Sequence, residues 1–231
     1  AGLGLIASKV LLEGPLKKKE GSYLVSGRFG YPGVVAGLLG SNLTSKPQMW
    51  FYDVNAKVNR TLDARNRMFF SLYSGGDHTV FNKLVKGYGM DWGNATATIR
   101  WNHILTDKTN VNTSAVFSNY YYKYKSLSDG LRYVWKSNMQ SYQLKSDWER
   151  YQNNLLTLKG GVNLHYFTTM PGEVGKSGKD SNITPSQMPR KSLWDAALYA
   201  EANYKFLPHF LLNAGVRLSV LHAPASAYYA A

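Results

Sequence analysis

Long segments in which apolar and polar residues alternate one by one limit most strongly what this chain can fold into. The clearest segments are residues 51–60, 92–105, 194–206 and 210–221. Helical periodicity is hard to find anywhere in the chain. A period of two residues, with one apolar and one polar face, predicts half-buried β-strands rather than helices.

The length of these segments favours strands that cross a membrane. Strands of soluble sheets are mostly about five or six residues long, whereas a tilted strand needs about ten residues to cross a bilayer. A transmembrane helix would need roughly 18–20 apolar residues, and the best apolar run covers only Val34–Leu39. The pattern therefore predicts an all-β, antiparallel, up-and-down transmembrane β-barrel, whose strands never form long apolar runs.

The connections between the predicted strands form two classes. Tight turns are predicted at residues 13–21, 63–66, 106–108, 153–154 and 207–208. Long polar loops are predicted near residues 31–50, 76–91, 126–139 and 170–192. A membrane barrel has short turns on one rim and long loops on the other, so regular alternation of the two classes favours it over a soluble sandwich.

Aromatic residues make up 14% of the chain and cluster at both ends of the predicted strands. Those next to long loops are Trp50, Phe51, Tyr52, Trp92, Tyr120, Tyr121, Tyr122, Tyr142, Tyr166, Phe167 and Trp194. Those near short turns are Trp101, Trp148, Tyr151, Tyr204, Phe206 and Phe210. High strand propensity would also enrich aromatics, but placement at both ends indicates the two girdles of a membrane protein.

The charged residues predict which side of each strand faces lipid. The chain carries a formal net charge of +13 at pH 7. On the lipid face at mid-bilayer depth, Arg or Lys costs about 2–4 kcal/mol, so the charged faces are expected to line the lumen. The lumen-facing candidates are Arg28, Asp53, Lys57, Arg100, Glu201 and Arg217. The expected lipid-facing set is Val54, Ala56, Val58, Ala97, Ile99, Leu198, Ala200, Val216 and Leu218.

The sequence offers no constellation of residues for catalysis, so we predict no enzymatic activity, no metal and no cofactor. There is no cysteine, and the five histidines have no H-x-x-x-H spacing. A phosphate-loop reading of 172–177 fails because the glycine that such a loop requires is replaced by Met170. No Gly-x-Ser-x-Gly elbow is present either.

The basic net charge also suggests nucleic-acid binding as a possible class of function. The run Lys17–Lys19 follows Gly-Pro in a predicted turn, which indicates a solvated rim. A nucleic-acid surface would place aromatic and basic residues on one shared face. Here the aromatics collect at strand ends and the cations lie opposite the apolar face, so no nucleic-acid partner is predicted. Anionic lipopolysaccharide is the expected partner of a basic rim.

Several segments resemble a known family. Leu12–Leu16, a basic turn and then Ser22–Arg28 resemble the first barrel strands of TonB-dependent outer-membrane receptors, especially the Bacteroidota type. Residues 52–59 and 92–103 resemble following strands of that group. The resemblance implies a barrel of about 22 strands that is closed by an N-terminal plug domain and driven by an inner-membrane energy-coupling complex.

The chain differs from a whole member of that family. Within residues 1–231 we expect no plug domain before Leu3, no coupling box and no last strand that ends in an aromatic residue. We therefore expect residues 1–231 to form one partial barrel of about ten strands, the N-terminal half of a wall with two open edges. The plug domain and the C-terminal barrel strands are expected to lie outside it.

The resemblance implies a function in the bacterial outer membrane, namely the wall portion of a transporter that imports a scarce nutrient. The alternative is an outer-membrane barrel that binds or scaffolds a partner protein without active transport. The implied partners are outer-membrane lipid and lipopolysaccharide, the protein's own plug and remaining wall, the energy-coupling complex and a surface lipoprotein. A plug with a coupling box in the full-length gene would decide for transport.

Overall fold

A computed structural model describes residues 1–17, 20–39, 48–82, 87–128, 131–178, 181–207 and 209–224. The first strands are β1 (Gly2–Leu3), β2 (Ala7–Leu16), β3 (Gly21–Gly30), β4 (Gln48–Thr61), β5 (Asn66–Asn82) and β6 (Gly87–Thr106). The remaining strands are β7 (Thr109–Ser126), β8 (Tyr133–Tyr151), β9 (Leu156–Lys176), β10 (Ser186–Gln187), β11 (Lys191–Leu207) and β12 (Phe210–His222). One helix, α1 (Pro32–Leu39), lies between β3 and β4. In the described ranges, no helix has the length and apolar character to cross a membrane.

All twelve strands belong to one antiparallel sheet. The spatial order follows the chain order from β1 to β12, except that β10 pairs with β9 beside that path. Ten of the strands have ten residues or more, and only β1 and β10 are two residues long. The all-β, up-and-down prediction of about ten long strands is thus confirmed.

The sheet is open at both edges. β1 and β2 form one edge and β12 the other, and across the described residues no ladder of hydrogen bonds joins the two. Ala197 is the sole buried hydrophobic residue in the described part of the chain, so the sheet does not close around a dry core. The fold is a partial β-barrel wall.

The register separates apolar from polar side chains. One row of directly paired residues crosses six strands as Val58, Phe70, Ile99, Ala115, Leu144 and Leu164. Farther along, Leu198 pairs with Leu218 and Ala200 with Val216. We call this side the apolar face and the opposite side the polar face. All nine residues of the expected lipid-facing set lie on the apolar face, because paired residues share a side and residues two apart do so too.

The first predicted turn is too wide. β2 continues to Leu16 and β3 begins at Gly21, so Glu13–Pro15 belong to a strand. β1 pairs only with Ser8 and Lys9 of β2, so Pro15 has no partner strand on the side away from β3. Proline is tolerated at such an edge position because no backbone hydrogen bond is required there. The other four predicted turns coincide with the ends of neighbouring strands. Lys18 and Lys19 of the predicted basic rim lie outside the described residues.

The predicted long loops are mostly too long, and one is wrong. β5 continues to Asn82 and β6 begins at Gly87, so most of the predicted loop at 76–91 is strand and the strict alternation of short and long connections fails there. β7, β8 and β9 likewise extend into the predicted loops at 126–139 and 170–192. These extensions lack an alternating apolar face, so polarity alone made them resemble loops. Parts of all four predicted loops, residues 40–47, 83–86, 129–130 and 179–180, lie outside the described residues.

The turn between β4 and β5 is held by the side chain of Asp63. Its carboxylate accepts hydrogen bonds from the backbone N–H of Arg65 at 2.7 Å and from the side-chain amide of Asn66 at 2.8 and 2.9 Å. This is the local bond by which Asp favours turns. The backbone N–H of Arg65, followed by the Asn66 amide, lowers the pKa of the Asp63 carboxyl.

The lowered pKa of Asp63 makes the turn sensitive to acid. A carboxylate with a depressed folded-state pKa stabilises the fold at neutral pH, and this contribution is lost as the pH falls through the folded-state pKa. We expect Asp63→Ala to speed hydrogen exchange of the Arg65 amide, measured by NMR in detergent micelles, more at neutral pH than in acid. Asp107→Ala is the control, since Asp107 also lies in a turn but no described residue donates a hydrogen bond to it. Equal effects of Asp63→Ala at both pH values would contradict this account.

Candidate functional site: the polar face

All six predicted lumen-facing residues lie on the polar face. Arg28 and Asp53 are direct register partners on β3 and β4, and the Arg28 Nε donates a hydrogen bond of 2.6 Å to Asp53 Oδ2. The Arg28 guanidinium also lies 5.0 Å from the centre of the Phe51 ring. The sequence predicted the face of these two residues but not that they form an ion pair.

Glu201 and Arg217 lie on β11 and β12, respectively, and are held by neutral partners. Glu201 accepts hydrogen bonds from the side-chain amides of Asn203 at 2.8 Å and Asn213 at 3.1 Å. The Arg217 guanidinium lies 5.7 Å from the centre of the Tyr199 ring, and its Nε donates a 3.2 Å hydrogen bond to Ser219. The two residues are therefore not paired with each other.

Lys57 and Arg100 line an open cavity of about 630 Å³ on the polar face. Lys145, Asp147 and Phe69 contribute to the same cavity. The Arg100 guanidinium lies 4.4 Å from the centre of the Phe69 ring, within the range of a cation–π interaction. The structure thus brings together two of the six predicted residues and adds partners that the sequence analysis missed.

Lys145 and Asp147 were missed because the alternation of residues in β8 was not among the segments from which strands were predicted. Lys145 and Asp147 alternate with Leu144, Ser146 and Trp148 in β8, which is the signal that could have found them. Their position beside Arg100 depends on the pairing of β6 with β7 and of β7 with β8. No local pattern in the sequence gives that pairing.

The carboxylate of Asp147 in this cavity is held by Tyr199, whose side chain passes over Gly161 on the strand between them. Asp147, Gly161 and Tyr199 are consecutive register partners on β8, β9 and β11. The Tyr199 hydroxyl donates a hydrogen bond to Asp147, and the Lys145 Nζ lies 2.9 Å from the other carboxylate oxygen. A Cβ added to Gly161 would lie 2.5 Å from the Ser146 carbonyl oxygen and 2.7 Å from the Tyr199 ring. The glycine is needed so that Tyr199 can reach across the middle strand.

An aromatic row marks one limit of the apolar face. Phe117, Tyr142, Tyr166 and Trp194 are register partners, with successive ring centres 5.1, 6.2 and 4.5 Å apart. Tyr204 lies ten residues beyond Trp194 in β11, which is roughly 33 Å along a strand. With a strand tilt of about 45°, that length corresponds to roughly 23 Å, close to the height of the apolar band of outer-membrane barrels.

Some aromatics do not occupy the predicted girdles. Trp92, Tyr120 and Tyr122 lie on the polar face, since their neighbours Gly93 and Tyr121 pair within the apolar-face rows. Near the far ends of the strands the polar face is also aromatic, with Tyr88, Tyr124 and Tyr133 in ring contact and Phe81 next to Tyr88. The sequence analysis misassigned the first three because strands β6 and β7 extend farther than predicted.

The described residues contain no cluster of three or more metal-ligating side chains. His78 does contact Asp91 near the loop ends of β5 and β6, and Asp91 also lies 3.5 Å from the Lys123 Nζ. These groups form a polar row on the side of the apolar face but beyond its aromatic limit. Asp91 thus joins His78 and Lys123 in one row of polar contacts.

No protein-family model and no curated protein matches the chain. Solved structures do match. BauA, the ferric preacinetobactin receptor of Acinetobacter baumannii, has a TM-score of 0.68 at 12% identity, over 94% of this chain and 39% of that one. The fold is that of the barrel wall of TonB-dependent outer-membrane receptors.

Two further structures give the same result. The outer membrane transporter YddB of Escherichia coli has a TM-score of 0.69 at 12% identity, over 93% of this chain and 33% of that one. The copper transporter OprC has a TM-score of 0.67 at 10% identity, over 93% of this chain and 36% of that one. The chain therefore spans well under half the length of these structures, and identities this low establish the fold alone.

The contact between Tyr199 and Gly161 gives a stability prediction. Gly161→Ala should lower the free energy of unfolding by about 1–3 kcal/mol, because the new methyl group overlaps a backbone oxygen as well as the ring. Gly175→Ala is the matched control on the same strand, since nothing lies within 4 Å of its added Cβ. Urea unfolding in detergent micelles measures both variants. Equal losses in the two variants would show that Tyr199 does not need the space over Gly161.

Proposed function

We propose that this chain is the wall portion of a bacterial outer-membrane barrel that imports a scarce nutrient. The observation that carries the proposal is the exposed apolar face of a sheet of long antiparallel strands. Leu198, Leu218 and Val216 are 57%, 66% and 71% exposed, although they form the apolar face. Exposing such a continuous apolar surface to water is unfavourable, whereas contact with the hydrocarbon of a bilayer is favourable.

The polar face supports a hydrated lumen. It carries Arg28, Asp53, Lys57, Arg100, Glu201 and Arg217, which remain accessible to water while the opposite side contacts lipid. The open edges support a longer wall, because an unpaired strand edge cannot face hydrocarbon. We propose that residues 1–231 form one unit of that wall and that further strands and a plug domain complete it.

The family resemblance supports the finer parts of the proposal. The motifs at residues 12–28, 52–59 and 92–103 favour a TonB-dependent importer of the Bacteroidota type, with an inner-membrane energy-coupling complex and a surface lipoprotein as partners. Lipid and lipopolysaccharide would surround the wall. Among the similar structures, BauA is a receptor for an iron chelate and OprC a copper transporter, so metal chelates are the first substrate class to test.

A pair of neighbouring substitutions tests the membrane assignment. Ile99→Arg places a charge on the apolar face and should cost about 2–4 kcal/mol in the bilayer, which reduces the amount of folded protein in outer-membrane fractions. Thr96→Arg is the control, since it adds the same charge three residues away on the polar face, outside the cavity that Arg100 lines. Heat-modifiable migration on gels measures folding in each case. If both variants insert equally well, the apolar face does not contact lipid.

Transport is tested with the full-length gene in its host. We expect deletion to abolish energy-dependent uptake of one metal chelate, with uptake also lost when a protonophore removes the membrane potential. A complementing copy that carries Ile99→Arg should fail to restore uptake, whereas Thr96→Arg should restore it. The alternative of a scaffold barrel predicts a different result in the deletion strain. Uptake of every chelate tested would be unchanged, while a partner protein that co-purifies with the intact barrel would be lost from the outer membrane.

A further inference from the structure

Several cations on the polar face lack an acidic partner among the described residues. Those without a described carboxylate within 4.0 Å include Lys9, Lys57, Arg67, Arg100, Lys205 and Arg217. Other cations on the same face are neutralised: Arg28 pairs with Asp53, Lys145 with Asp147, and Lys159 with Glu149. The polar face therefore carries both neutralised cations and unpaired cations, and the unpaired ones are spread over several strands.

Three of these cations gather around one cavity. Lys57 on β4 and Arg100 on β6 line it, and Arg67 on β5 contacts the Phe69 ring that forms part of its wall. We call Lys57, Arg67 and Arg100 the cation cluster. The guanidinium groups of Arg67 and Arg100 lie 5.1 and 4.4 Å from the centre of the same ring. Arg67 also donates a 2.8 Å hydrogen bond to the side-chain oxygen of Asn59, so its described partners are neutral.

Polar side chains fill the positions between the cations. Ser71 on β5 and Thr98 on β6 continue the row of Lys57, while Ser114 on β7 separates Arg100 from Lys145. Adjacent strands are about 4.8 Å apart, so Arg100 and Lys145, two strands apart, are about 10 Å apart at the backbone. Hydroxyl groups between well-separated cations are suited to a ligand with several anionic groups.

The acid in the cavity does not compensate the cluster. Asp147 is the one carboxylate among the residues described as lining it, and this group is already bound by the Lys145 ammonium and the Tyr199 hydroxyl. Its negative charge offsets that of Lys145. The cation cluster keeps its full positive charge in an open site of about 630 Å³, large enough for a small organic molecule.

We propose that the cation cluster binds a solute that carries two or more carboxylate or phosphate groups. Arg67 and Arg100 donate paired N–H groups to one anionic group, and the Lys57 ammonium contacts another, with Ser71 and Thr98 as additional donors. A monovalent anion would bridge only part of the cluster and binds more weakly. This site goes beyond the proposed function. It rests on the proposed function only because it requires the polar face to be in contact with water.

The test is calorimetric titration of the full-length protein in neutral detergent micelles at low ionic strength. The probes are citrate for carboxylates, inorganic tripolyphosphate for phosphates and acetate as the monovalent comparison. We expect citrate or tripolyphosphate to bind and acetate not to saturate. Arg100→Gln and Lys57→Gln should each weaken binding about tenfold, the usual effect of losing a charge-assisted hydrogen bond.

Arg28→Gln is the matched control. It removes one positive charge from the same face, but from a residue that is already paired with Asp53. We expect it to leave the affinity within about twofold, whereas general attraction by net charge predicts the same loss as for Arg100→Gln. Arg100→Lys keeps the charge and should restore part of the binding. Heat-modifiable gel migration checks that each variant is folded.

Three outcomes would overturn the site. They are equal binding by Arg100→Gln and the unmutated protein, equal losses in Arg28→Gln and Arg100→Gln, and no binding of either polyvalent probe because another segment covers the cluster. Binding in micelles needs no energised membrane, so the result is independent of transport. Uptake that fails while citrate still binds counts against the proposed function alone, and the reverse result counts against this site alone.

Discussion

The hydrogen-bonded register between neighbouring strands is the constraint on which the rest of this structure depends. Each long strand is paired on both sides except at the two edges, so the backbone is satisfied within the sheet. Because side chains alternate, a slip of one residue would move a whole strand's apolar set to the polar face. The rows from Val58 to Leu164 and from Phe117 to Trp194 exist only because six and four strands, respectively, keep one common register.

That register also determines the chemistry of the polar face. It joins Arg28 to Asp53 across one strand pair, and it places Gly161 where Tyr199 must cross to reach Asp147. The same pairing leaves Lys57, Arg67 and Arg100 around a cavity without an acid of their own. The face therefore combines neutralised ion pairs with unpaired cations, and three of the unpaired cations gather around one cavity, which is the feature that supports a binding site there.

Much of the fold could be predicted from residues that alternate strictly. Residues 51–60, 92–105, 194–206 and 210–221 were assigned to strands, and the six lumen-facing candidates were assigned to the face on which they lie. Prediction failed where alternation stops. β5 and β6 continue through residues 76–82 and 87–91, and Trp92, Tyr120 and Tyr122 lie on the polar face. Beyond the apolar rows, neither side of a strand has to be apolar, so the sequence there does not alternate.

The sequence by itself determined the class of the fold and the side of the sheet on which each alternating residue lies, since these follow from the order of residues within single segments. Only the tertiary structure decided which strands bring Arg67, Arg100 and Lys145 together and that Asp147 is bound by Tyr199. Those features depend on pairing between segments far apart in the chain. The energy of that pairing lies mostly in backbone hydrogen bonds, which every residue except proline can make and which therefore leave little trace in the sequence.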